Sequence, residues 1–118
     1  MSDMTSKPET AYTLPYFDAA DALEQAKAGA ILMDVRKPPA RRASGRRITG
    51  AEIRDPFSFG HADPLMTVER PVIAFCVHGH EVSQFACALL LVHGRTASYV
   101  RGGFEALSAA GAPLEDLV

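Results

Sequence analysis

The stretch PVIAFCVHGHEVS (residues 71–83) decides how this chain is read. Its first six residues are apolar, which suits a strand buried on both faces of a sheet. From His80 the pattern becomes helical and stays apolar nearly all round to His93, where Gly94 stops it, so a buried helix is expected. Cys76 stands at the join. The alternation repeats outward on both sides. Upstream, AILMDV (residues 30–35) predicts a second strand. It follows a helix over residues 19–28, with Asp18 as N-cap, Asp21 in the first turn and Gly29 past the end. Downstream, TASYV (residues 96–100) predicts a third strand. Gly102-Gly103 then reads as a turn, and residues 104–110 as a short helix closed by Gly111 and Pro113. Strands alternating with helices imply βα units, and therefore an α/β fold with a mainly parallel sheet.

The remaining segments are less regular. RKPPARRASGRRITG (residues 36–50) has two prolines, three glycines or serines and no acid, and reads as a loop of about 15 residues. Residues 51–53 predict a short strand. Pro56 and Pro64 break residues 54–70 into loop with a helical turn. Residues 1–10 form a polar, loose start, and residues 11–118 a single domain. A length of 118 residues is the size of one domain and supports one core. Apolar residues make up 47% and charged residues 22%, ordinary globular usage that excludes a disordered or collagen-like chain. The formal charge of −2 gives no electrostatic reason to expect nucleic acid as partner. No apolar run approaches the roughly 18 residues of a membrane span. The opening MSDMTSKPET lacks the apolar stretch of a signal peptide, so the cytoplasm is the expected location. Two cysteines read as free thiols rather than a disulfide framework.

In a parallel α/β sheet, ligands collect at the carboxyl ends of strands, where Cys76 sits. A tight turn there would aim backbone N–H groups at the sulfur, and the following helix adds positive potential. Both stabilise a thiolate and attract anions. Gly79 lets the backbone curl closely. This suits a nucleophilic cysteine. A cysteine ending an apolar strand is equally well a small buried hydrophobe, and the residues alone leave both readings open. Cys87 lies mid-helix, about 10 Å along the axis, and reads as core. His78 and His80 could bind an anion or favour the thiolate, or be solvated without a role. Three ligands on one tight turn could hardly surround a zinc ion, so no metal is expected from C-x-H-x-H. Glu81 suits the first turn of a helix. Ser83 could donate to the sulfur or cap the turn. Arg36, Lys37, Arg41, Arg42, Arg46 and Arg47 are half of the chain's basic residues. Folded over the site, this run would guide an anion, with Arg41 and Arg42 as the candidates; otherwise it is a solvated loop.

Four segments, taken in order, resemble the single-domain rhodanese-like sulfurtransferases. They are LMDVR (residues 32–36), ITGAEI (48–53), CVHGHEVS (76–83) and VRGGFEALSAAGAPL (100–114). The resemblance implies a central parallel sheet of about five strands with helices on both faces. It implies that Cys76 carries a sulfane sulfur as a persulfide, taken from a small donor such as thiosulfate and passed to a thiol or protein acceptor. Val77, His78, Gly79, His80, Glu81, Val82 and Ser83 would form the substrate-binding loop, and no organic cofactor is implied. The Asp34/Arg36 pair would fix neighbouring loops. The chain departs from the pattern at Leu107, where the family has a tryptophan, and in the basic 36–50 segment. It departs again at Glu81, where many members end the loop with a basic residue. Two other functions compete: a rhodanese-like binding module without catalysis, and a phosphatase or arsenate reductase. The last needs an arginine closing the loop, and residues 81–83 are Glu, Val and Ser.

Overall fold

The computed structural model describes residues 13–60 and 62–117. The loose start expected over residues 1–10 falls outside them. The frame is a five-stranded sheet in the order β1-β6-β5-β2-β4. These strands are Tyr16–Asp18 (β1), Ala97–Arg101 (β6), Val72–Phe75 (β5), Ile31–Asp34 (β2) and Glu52–Ile53 (β4). Every pairing is parallel. β2 and β5 are buried along their whole length, which is why they read as unbroken apolar runs.

Side chains alternate between the two faces. Ile31, Met33 and Val35 join Val72, Ala74 and Cys76 in one apolar cluster, which includes Ala86, Cys87 and Leu90 of the helix Glu81–Val92 (α3). Leu32, Ile73 and Phe75 point the other way. They pack on Ala19 and Ala22 of Ala19–Lys27 (α1) and on Leu107 of Gly103–Ala109 (α4). Leu107 is fully buried at the position where the resembling family has tryptophan. The period of two therefore sends Cys76 toward α3.

Several expectations need correction. Residues 36–50 are not a loop: they hold the helix Pro38–Ser44 (α2) and the strand Arg46–Ile48 (β3). The prolines open the helix, because Pro at its first positions gives up only an N–H that has no helical partner. β3 pairs antiparallel with Leu114–Asp116 (β7), a strand the sequence did not announce, in a separate small sheet. β1 was also not expected. Asp18 holds the N-cap position of α1, but its side chain makes no cap. Arg101, its register partner on β6, takes the carboxylate at 2.9 Å. The α3 helix is less buried than its sequence predicts. Val92 is 81% exposed, and Phe85 stands half-exposed against the ring of Phe57, 5.5 Å away. The helical turn expected within residues 54–70 is present at Pro64–Met66, capped by Asp63.

A buried ion pair locks the frame near the site. Arg36 donates from Nε and Nη2 to Asp34, at 2.8 Å for the shortest contact, and from Nη2 to the Arg46 carbonyl. Its guanidinium lies 4.0 Å from the centre of the Phe104 ring. One side chain thereby ties β2, β3 and α4 together. Removing one partner of such a pair costs about 3–5 kcal/mol, since the other charge stays buried alone.

Candidate active site

β5 is the middle strand of the sheet, and Cys76 is the first residue beyond it. Five residues, 76–80, connect β5 to α3. Their path is fixed from below by α4. Phe104 N–H donates to the Cys76 carbonyl at 2.7 Å and Glu105 N–H to that of Val77 at 3.2 Å. The approach is so close that two positions demand glycine. A Cβ on Gly79 would stand 2.5 Å from the Val100 carbonyl oxygen, and one on Gly103 would stand 2.4 Å from that of Cys76. Both residues also have positive φ, of 80° and 60°.

This curl determines the chemistry of the sulfur. Cys76 is 7% exposed, and its Sγ lies 3.2 Å from Ser83 Oγ. Burial pushes the thiol pKa up. The Ser83 hydroxyl and the backbone N–H groups of Ser83, Gly79 and His80 outweigh it, and hold the pKa below the ordinary thiol value. These amides are available because the first N–H groups of a helix have no partner within it. Cys87, one face further along the same helix, has no such donors, and burial pushes its pKa up to about 11. Both cysteines are free thiols.

A cavity of about 390 Å³ opens over the sulfur, lined by Arg36, Lys37, Ala40, Cys76, Val77, His78, His80, Glu81 and Val82. Most of the 76–83 loop thus reaches one mouth. Gly79 and Ser83 are buried beneath it. His78 and His80 are exposed, with ring centres 6.3 Å apart. Among the described residues no group of three His, Cys, Asp or Glu side chains is placed to hold a metal ion. Arg41 and Arg42 do not line the cavity: Arg41 donates to the Arg36 carbonyl, and Arg42 is exposed on α2. The cations at the mouth are Arg36 and Lys37. Lys37 belongs to the basic run read from the sequence, but Arg41 and Arg42 were singled out within it and Ala40 was passed over; the signal for the pair was Pro38-Pro39, which starts a helix and so sets which side chains turn inward.

No protein-family model matches the sequence. The structure is similar to a thiosulfate sulfurtransferase from Pseudomonas aeruginosa, with a TM-score of 0.74 and 21% identity over 88% of this chain and 20% of that one. It is similar to a rhodanese-related protein from Thermoplasma volcanium, with a TM-score of 0.68 and 23% identity over 86% of this chain and 97% of that one. It is also similar to a Rhodopseudomonas palustris protein of unknown function described as a possible tyrosine phosphatase, with a TM-score of 0.74 and 22% identity over 92% and 89% of the two chains. The fold is rhodanese-like. The parallel five-stranded sheet with helices on both faces, expected from the sequence, is the observed one. Among the described residues no helix is long and apolar enough to cross a membrane.

Proposed function

We propose that the chain is a sulfurtransferase that carries a sulfane sulfur on Cys76. The observation that supports this most is the thiol whose pKa is held down although it is buried, at the floor of an open cavity. A thiolate is the nucleophile that sulfur transfer needs, and a lowered thiol pKa raises its share. With thiosulfate as donor, the Cys76 sulfur attacks the outer sulfur, the S–S bond breaks, and sulfite leaves with the bonding pair. The persulfide's outer sulfur then lies among the amides of Gly79, His80 and Ser83. A cyanide, a thiol or a protein cysteine attacks that outer sulfur and regenerates the Cys76 thiolate. No metal or organic group enters either step.

The phosphatase reading finds no arginine at the helix start, where residues 81–83 are Glu, Val and Ser. The non-catalytic binding module is the competing reading, favoured by Glu81 at the mouth. Intact-mass measurement after exposure to sulfane-sulfur donors separates the two. One added sulfur, lost on addition of cyanide and missing in Cys76→Ser, is the expected result. A chain that gains no sulfur from any donor overturns the proposal and leaves the binding module.

A further inference from the structure

Two charged side chains line the Cys76 cavity without an ion-pair partner among the described residues. Lys37 is exposed at the N-cap position of α2, and Glu81 is exposed as the first residue of α3. Neither belongs to any of the ion pairs among the described residues. The third charge on the wall, Arg36, is neutralised by Asp34. The rest of the wall is formed by the apolar Ala40, Val77 and Val82 and by the rings of His78 and His80. The mouth therefore presents one positive and one negative group of its own, on different elements, around a sulfur nucleophile.

We propose that the donor is a small zwitterion: a hydropersulfide bearing both a carboxylate and an ammonium group, as in a persulfidated α-amino acid. Its carboxylate meets Lys37, its ammonium meets Glu81, and its outer sulfur meets Cys76 Sγ. This rests on the sulfur-transfer reading above and names its substrate class. In the reaction the Cys76 thiolate attacks the outer sulfur of R–S–SH. The S–S bond breaks, R–S⁻ leaves with the electron pair, and Cys76 becomes the hydropersulfide; no external oxidant or reductant is needed. The cavity of about 390 Å³ lies at the small end of the roughly 300–1,000 Å³ typical of ligand sites, which suits an amino-acid-sized donor. A dianion such as thiosulfate gains Lys37 but meets Glu81 with like charge. An uncharged donor leaves both side chains unused. A contact to one exposed charge is worth at most about fivefold in rate or affinity, so the two together decide between donors rather than decide whether transfer occurs.

The test uses hydropersulfides of cysteine, cysteamine, 3-mercaptopropionate and 2-mercaptoethanol, generated in situ, on the full chain. Loading of Cys76 is followed by quenched intact mass in wild type, Lys37→Met and Glu81→Gln. Each donor is compared with itself across the variants, which removes differences in leaving-group chemistry. Lys37→Met should lower the rate for the cysteine compound relative to the 2-mercaptoethanol compound by about three- to fivefold. Glu81→Gln should lower that same ratio by a similar factor, and should raise use of the 3-mercaptopropionate compound. Loading with ratios unmoved in both variants overturns this proposal alone. A chain that loads from none of the four overturns the sulfur-transfer reading with it.

Discussion

Cys76 and Cys87 belong to the same apolar cluster and lie on the same side of the sheet, yet their thiols are shifted in opposite directions. Cys87 stands in the middle of α3, where the helix uses its own amides, and no donor reaches the sulfur; burial acts alone and pushes the thiol pKa up. Cys76 stands before the helix, where the amides have no internal partners and converge on the sulfur. Burial thus does not decide whether a cysteine is reactive. The supply of unpaired N–H groups within reach does, and backbone path sets that supply.

The harshest way to break the comparison is to exchange the two residues' fates. Cys76→Ser should abolish sulfur loading in the mass measurement, whereas Cys87→Ala should load at near wild-type rate while losing about 1–2 kcal/mol of stability to the cavity it leaves. Loading carried by Cys87 would end the contrast. Next in size is Gly103→Ala. Its Cβ would fall 2.4 Å from the Cys76 carbonyl oxygen and 2.6 Å from that of Val77, so the loop must move. Alkylation of Cys76 at neutral pH should slow by about 100-fold, or some 3 kcal/mol, as the converging amides are lost. An unchanged rate would show that the curl of the loop does not matter.

The pH dependence sharpens the same contrast. The Cys87 pKa rises from the ordinary value near 9.0 to about 11 on folding. Its native state therefore holds a proton that the unfolded chain releases. Stability from this group is complete below about pH 9 and falls by on the order of 2 kcal/mol as pH rises to about 11. For Cys76 the sign is opposite: a lowered native pKa adds stability above the unfolded value and loses it as pH falls through the native one. Denaturant melts between pH 8 and 11 should show a steeper alkaline decline for wild type than for Cys87→Ala, and parallel curves would contradict the assignment. The smallest effect is expected from Ser83→Ala. Losing the hydroxyl 3.2 Å from Sγ should move the alkylation midpoint of Cys76 upward and slow the neutral-pH reaction about threefold, the backbone amides remaining.

The sequence carried the centre of the molecule better than its rim. β2 and β5 are continuous apolar runs because both faces of the sheet are covered, and that burial is what made them visible. The α2 helix buries none of its residues, so no hydrophobic period marks it; two prolines and Gly45 define it instead, and prolines read more readily as breaks. β1, β3 and β7 are three residues each and partly exposed, too short for an alternation to register. At the candidate site the 76–83 loop was legible as a strand-to-helix turn. The basic side chains were not. Once residues 38–44 wind into a helix, a step of one residue turns a side chain by about 100°. That is why Lys37 and Ala40 face the cavity while Arg41 reaches back to the Arg36 carbonyl.

The hydrogen bonds from Phe104 and Glu105 to the carbonyls of Cys76 and Val77 also set an order in time. Residue 76 leaves the ribosome 28 residues ahead of Phe104, the first residue that holds its loop in place, and at typical synthesis rates of roughly 5–20 residues per second that interval is seconds long. Through it the sulfur is an ordinary thiol on an unfinished chain. A chain stopped before Gly102 should accordingly alkylate with the midpoint of a free cysteine peptide. The reactive centre is thus switched on late, when the helix that carries no chemistry of its own closes beneath it.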